Sequence, residues 1–454
     1  MANPICMRRI AAGALIALWM VPMVGASGDA SRPIPTQVIV HGAGARKTID
    51  MLPRATAGRV GATAFEPTLG ITSDGTILFQ GAHYPSSDPV GPFGNIIPDV
   101  FRSEDRGAKW SYASPTLGDQ STHRATADPY IHVDDDTDRV FTVDWVRGTY
   151  CSQLSHSDDG GETWTMTRLG CGGSDHQHVV TGPPAVSPTI DYPNVVYLCA
   201  QSIPSAICSK SLDGGSTFVN TGSLPFLEIS DILDCGRLTG HSAVGPDGTL
   251  YVPTACDKPY LAVSRDEGAT WETVVVSDAS TNGHHETAVG VDRKGRVYYF
   301  WMQEDRLPYL AISTDGGRSF ARVIAVAPPL LTEASLPALA VSDTGTVAAA
   351  YMGSTDSQGS EGDHGEATWS GYITLTRNAL AARPTFYSAR FGDRRDPFAI
   401  GECGPRRCHA AYDFIDVQLH GDSAWASFVD GCEGFLCIEI GTEFGEGVLA
   451  GLHF

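Results

Sequence analysis

Acid, base and metal-ligand chemistry gathers at the first positions of short apolar runs in this 454-residue chain. The residues are Glu66, Asp128, His176, His178, His241, His285, Glu286, Glu333 and Asp413. Two carboxyl groups held across a glycosidic bond can act as general acid and as nucleophile or base. Glu66, Asp128, Glu286 and Asp413 are the catalytic carboxyl candidates, with His241 as a further acid–base candidate. A histidine beside a carboxylate can also abstract the proton α to a uronate carboxylate, the step of a polysaccharide lyase. His176 and His178 stand two apart, so on a strand they share a face. They could join His241 or His285 around a divalent cation, although no spacing here is a metal motif in itself. Arg124 and Arg237, with Arg406 or Arg407, are the cations that could approach the same place. With His176, His178, His285 and Glu333 they are the candidates for binding.

The elements that must bring these residues together are visible as a repeat. Ser, any residue, Asp, any residue, Gly, two residues and then Trp or Phe occurs five times. The copies are Ser103–Trp110, Ser157–Trp164, Ser211–Phe218, Ser264–Trp271 and Ser313–Phe320. Their aspartates, Asp105, Asp159, Asp213, Asp266 and Asp315, are 54, 54, 53 and 49 residues apart. A fixed period of this size marks supersecondary units that share a core with their neighbours. Asp can tie its carboxylate to backbone N–H groups two residues on, Gly supplies a positive φ, and the aromatic packs beneath the turn. Apolar strands flank each copy, so the phrase is expected as a hairpin turn between two outer strands of a small sheet.

A second repeat precedes each turn, an inner hairpin of two apolar strands. Copies run Thr68–Phe79, Tyr130–Val143, Ala185–Leu198, Ser242–Val252, Thr287–Phe300, Ala338–Tyr351 and Phe414–Phe428. Hairpins count seven sheets and intact turns only five. In the sixth unit Arg377–Leu380 replaces the turn, and the seventh has lost it. The expectation is an all-β, single β-propeller of seven four-stranded blades, with six as the alternative count. The propeller is expected over 61–454. Residues 27–60 form a linker in which Thr36–His41 is a candidate ring-closing strand, which would remove an exposed edge. Residues 352–411 depart from the period and form an inserted region, the kind of segment that often lies on a binding face.

The repeated phrase resembles the Asp box, the bacterial neuraminidase (BNR) repeat of sialidase-like β-propellers. Asp175-His-Gln177, Gly182-Pro-Pro184, Gly240-His241, Pro246–Pro253, Trp369–Thr376, Asp413-Phe414 and Asp430-Gly-Cys432 are similar to a group of secreted bacterial sialidase-like proteins. The resemblance covers nearly all of the chain after its first residues. It implies that the boxes are peripheral turns and that ligands meet the protein at the channel mouth. Sialidases hold the substrate carboxylate there with three arginines and add a Tyr nucleophile, a Glu partner and an Asp acid. The first arginine lies in a phrase resembling Tyr-Arg-Ile-Pro. Here Phe65-Glu66-Pro67-Thr68 stands at that place, and Glu66 replaces the cation. The resemblance thus implies a glycan or polysaccharide partner, with glycoside hydrolysis or binding alone as the alternatives. A non-catalytic propeller for protein contacts is the competing reading.

Composition narrows the partners. The formal net charge is −21, which repels phosphate backbones and anionic lipid, so nucleic acid is not an expected partner. Residues 1–26 carry Arg8, Arg9 and an apolar run ending at Val24-Gly-Ala26, the pattern of a cleaved secretory signal peptide. No later run is long enough to span a bilayer, and a secreted or periplasmic monomer is expected. With Cys6 in the signal, ten cysteines remain of 11. They fall into near neighbours, Cys151 with Cys171, Cys199 with Cys208, Cys235 with Cys256, Cys403 with Cys408 and Cys432 with Cys437. Structural disulfides in an oxidising compartment are the expectation.

Overall fold

The structure is a computed structural model that describes residues 33–42, 52–83, 97–115, 126–146, 151–171, 175–202, 205–227, 229, 239–282, 286–357, 367–401, 403, 411, 413–431 and 445–454. Regular structure among them is all strand, in seven antiparallel sheets. In the first blade Phe65–Ile71, Ile77–His83, Ile97–Ser103 and Ser111–Tyr112 lie side by side in chain order. The next four blades repeat that plan. Their innermost strands are Thr126–Val133, Asp175–Gly182, Ala243–Val244 and Ala288–Val291. The sixth and seventh blades begin with Glu333–Val341 and Asp416–His420. Each innermost strand touches that of the next blade, and Asp416–His420 returns to Phe65–Ile71. The contacts close a ring: the chain is a seven-bladed β-propeller.

The repeated turns hold themselves by side chains of the phrase. Ser103 Oγ accepts the Gly107 N–H at 2.8 Å, and Asp105 Oδ1 accepts the Lys109 N–H at 2.8 Å. The other four copies make the same pair of bonds. The carboxylate therefore reaches four residues on, not the expected two, because two residues of positive φ intervene. In the first copy these are Arg106 at 60° and Gly107 at 84°, where glycine avoids the Cβ penalty. The aromatic stitches blades together: Trp164 Nε1 donates to the carbonyl of Ala113 in the preceding blade at 2.8 Å. In the sixth blade Thr376 and Asn378 stand in for Ser and Asp. Asn378 N–H donates to Thr376 Oγ1 at 3.3 Å, and Asn378 Oδ1 accepts the Thr385 N–H at 2.9 Å.

Closure of the ring comes from Arg54–Thr63, the outer strand of the seventh blade beside Glu446–His453. Arg59 secures it with Nη2 2.5 Å from Asp430 Oδ2 and Nε 3.5 Å from Glu446 Oε2. Thr36–His41, expected as a linker or as the closing strand, instead adds a fifth strand outside Phe386–Phe391 in the sixth blade. There His41 Nε2 meets Ser388 Oγ at 2.7 Å. Within 352–411, Ala399–Ile400 pairs back onto Thr368–Trp369. Packing between blades is tight: a Cβ on Gly182 would lie 2.4 Å from Val244 Cγ1 of the next blade.

Cys199 and Cys208 face each other across adjacent strands and form a disulfide. Cys256 and Cys403 are each in a disulfide as well, though not shown to be with one another. Cys151 and Cys171 are backbone partners on neighbouring strands; Cys235, Cys408, Cys432 and Cys437 lie outside the described residues. Among the described residues no helix is long and apolar enough to cross a membrane.

Candidate functional site

Four innermost strands open with the same irregularity. Their registers skip between Phe65 and Thr68, Ala127 and Tyr130, Asp175 and His178, and Ser335 and Ala338. Such a β-bulge bends the strand and re-aims a side chain. In each bulge one residue takes a positive φ: Glu66 at 50°, Asp128 at 52°, His176 at 49° and Leu336 at 56°. This conformation costs on the order of 1–3 kcal/mol per non-glycine residue, so the surroundings must over-determine it. Pro67, Pro129 and Pro337 follow three of these residues; lacking an N–H, proline suits a place where the ladder is broken.

The bulges interlock around the axis. Asp128 N–H donates to Glu66 Oε2 at 3.2 Å, and His176 N–H donates to Asp128 Oδ2 at 3.1 Å. Gln177 Nε2 donates to the Asp128 carbonyl at 2.7 Å. Glu66 N–H donates to the Ala411 carbonyl at 3.0 Å, tying the first blade to the segment that enters the seventh. An imidazole at the third bulge changes the pattern. His176 Nδ1 lies 2.5 Å from Glu286 Oε1, and Nε2 lies 3.6 Å from Asp413 Oδ2. Glu66, Asp128, His176, Glu286 and Asp413 thus meet from the first, second, third, fifth and seventh blades, all buried.

A second group adjoins the first. Gly240 carries the chain over Thr287, whose carbonyl oxygen would be 1.5 Å from any added Cβ. That approach bridges His241 to Ala288 and gives the His241 carbonyl the Val289 N–H at 3.0 Å. His241 Nδ1 lies 3.2 Å from the Tyr130 hydroxyl and 3.6 Å from Asp416 Oδ1. His178 Nε2 turns instead to Ser242 Oγ at 2.6 Å. Between the groups is a narrow recess lined by Tyr130, His176, His178, His241, Glu286 and Phe414, with Gln177, Thr239 and Gly240. The Thr239 hydroxyl is buried there without a hydrogen-bond partner.

Crowded carboxyls in low dielectric set the protonation states. Burial, then the charges of Asp128 and Asp413, hold Glu66 well above the usual carboxylate range. Burial lifts Asp128 to about 8 against the opposing pull of His176. Burial opposes charge on His176, but Glu286 and Asp413 outweigh it and raise its pKa well above the ordinary value. His178 goes the other way, to about 3, through burial and the neighbouring His241. Burial, Asp416 and Glu286 raise the Tyr130 phenol, so a tyrosinate nucleophile is opposed here.

Several expected residues fall elsewhere. Glu333 opens the sixth blade but accepts Arg306 Nη1 at 3.0 Å and the Ser357 hydroxyl, a structural pairing away from the recess lining. His285, Arg124, Arg237, Arg406 and Arg407 lie outside the described residues. The bulge undoes the expected sharing of a face by His176 and His178, and their rings bond different partners. Among the described residues, the donors that approach one another closely enough for a cation are Asp128, Asp175 and His176, not His176 with His178 and His241. Sequence reasoning missed Tyr130, Asp416 and Thr239. Tyr130 had a signal: it follows Asp128 by two, as Thr68 follows Glu66 and His178 follows His176.

No family model matches the sequence, and no curated protein matches it. Among solved structures, the chain is similar to the Hadza microbial sialidase Hz136, at 18% identity over 65% of this chain and 66% of that one, TM-score 0.44. It is also similar to a lectin of Aleuria aurantia in complex with alpha-methyl-L-fucoside, at 11% identity over 69% of this chain and 93% of that one, TM-score 0.43. Phage phi92 endosialidase aligns at 8% identity over 92% of this chain and 72% of its own, TM-score 0.47.

Proposed function

We propose that this chain is an exported Asp-box propeller that engages a glycan at the end of the ring where the innermost strands begin. The observation that carries the reading is the convergence of Glu66, Asp128, His176, Glu286 and Asp413 from five blades beside one recess. Aromatic rings with a few fixed polar groups are the usual lining of a small-molecule pocket. Glycoside hydrolysis is a second reading, favoured by Asp128 with its pKa near 8, since a general acid must hold its proton at neutral pH. A glycan array and a turnover panel of sialosides and acidic and neutral polysaccharides test both. Selective binding without turnover supports a lectin-like protein, turnover supports a glycosidase, and the absence of both binding and turnover removes the glycan reading in favour of a protein partner.

A further inference from the structure

A second surface stands at the other end of the ring, where the innermost strand Asp175–Gly182 finishes. Residues 183–194 lead from it to Val195–Gln201. The matching turns of the first, fourth, fifth and sixth blades are only 72–76, 245–249, 292–296 and 342–346. In the long turn exposure alternates with the polarity reversed. Pro184, Val186, Pro188 and Ile190 are exposed, whereas Ala185, Ser187 and Thr189 between them are partly buried. Val186 and Ile190 are 65% and 62% exposed. Apolar side chains gathered outward on one segment mark an interaction site, where single exposed ones do not.

The segment is held rigid by three blades. Buried Glu267 of the fourth blade accepts the N–H groups of Ala185, Val186 and Ser187 at 3.1, 2.9 and 2.8 Å. Lys210 Nζ reaches Glu267 Oε2 at 2.7 Å and Ser187 Oγ at 3.4 Å, and Ile190 N–H donates to the Leu212 carbonyl at 2.6 Å. From the second blade, Thr137 Oγ1 lies 2.9 Å from the Tyr192 hydroxyl, and Asp134 and Asp136 accept Asn194 Nδ2 at 2.9 and 3.0 Å. Ordering that a partner would otherwise impose is therefore already done, which favours affinity.

We infer that this turn docks a protein partner that is apolar at its centre and bears Lys or Arg around it. The exposed charge beside the apolar side chains is acidic. Asp191 is on the turn, Asp136 is on the turn that holds Asn194, and Asp247 is on the turn whose Gly248 abuts Ala185. Among the described residues, the cations that reach the turn are already paired, Arg139 with Asp158 at 2.6 Å and Lys210 with Glu267. A second copy would set these carboxylates against each other, and a basic partner would not.

The test pans a phage-displayed random dodecapeptide library on the immobilised protein and measures the enriched peptides by calorimetry. They should combine aliphatic or aromatic residues with Lys or Arg. Their affinity should fall tenfold or more with Val186→Ser or Ile190→Ser, and severalfold with Asp191→Asn, since Asn tolerates the positive φ of 53° there. Val275→Ser, at an exposed valine on an outer strand, should bind as the wild type does. The substituted side chains are exposed, and unchanged thermal melts check that each variant folds. No enrichment, or peptides indifferent to both serine variants, overturns the inference. A dimer in sedimentation that Ile190→Ser abolishes overturns it in favour of a second copy. Binding to zwitterionic vesicles that Ile190→Ser abolishes overturns it in favour of a lipid surface. The glycan reading stands or falls apart from all of these, because none of them measures a sugar.

Discussion

At the scale of single residues, two buried carboxyls point stability in opposite directions with pH. Asp128 ordinarily titrates near 3.8 and is lifted to about 8 by burial. The folded chain therefore binds a proton that the unfolded chain releases, and stability falls as pH rises through that window. Asp128→Asn removes the dependence while keeping an oxygen for the His176 N–H. Thermal melts should show the variant gaining on the wild type from pH 4 to pH 8; a constant difference would contradict this. Glu267 is the reverse case. Its carboxylate accepts the N–H groups of Ala185, Val186 and Ser187 at 3.1, 2.9 and 2.8 Å and pairs with Lys210 Nζ at 2.7 Å. Burial opposes the charge, but Lys210 and these donors bring the pKa to about 2 from 4.5. Its contribution is complete above 4.5 and lost as pH falls towards 2. At ~1.4 kcal/mol per unit, Glu267→Gln should cost on the order of 3 kcal/mol at pH 7, and the deficit should vanish near pH 2. In the sequence Glu267 is only the variable position of a turn, because its three donors lie some eighty residues away. Glu66 and Asp128 were legible because each opens an apolar run. Asp416 was not, since it sits inside a strand with nothing local to mark its charge partner.

At the scale of elements, the repeated turn was readable because its bonds are local, from Ser and Asp to N–H groups four residues on. The bulges were not, although they aim the site. Nothing in Asp175-His-Gln-His178 announces that a register skip will separate two histidines that strict alternation would align. The role of Thr36–His41 was also hidden, because an edge strand can serve any blade whose outer edge it reaches. Blade packing gives a direct check at Gly182, where an added Cβ would meet Val244 Cγ1 at 2.4 Å. Gly182→Ala should destabilise by about 1–3 kcal/mol through overpacking. Val244→Ala in the same chain should restore part of that loss. Full additivity of the two changes in a double-mutant cycle would mean that these blades do not press on one another there.

At the scale of the molecule, the ring makes a site from residues that the chain keeps far apart. Glu66 and Asp413 stand at opposite ends of the sequence, and both lie in one buried network only because the seventh blade returns to the first. Periodicity made the ring legible from sequence, as equal steps imply equal units around an axis. It does not say which side chains face the axis, and that gap is where Tyr130 and Thr239 were missed. The most direct measurement is the affinity for a glycan that the protein selects, compared across Tyr130→Phe, His178→Ala and Glu286→Gln, contributed by three blades, and Glu104→Gln on a peripheral turn. Each recess variant should lose tenfold or more, about 1.4 kcal/mol, while Glu104→Gln binds as the wild type does. Unchanged affinity in all three recess variants would contradict this.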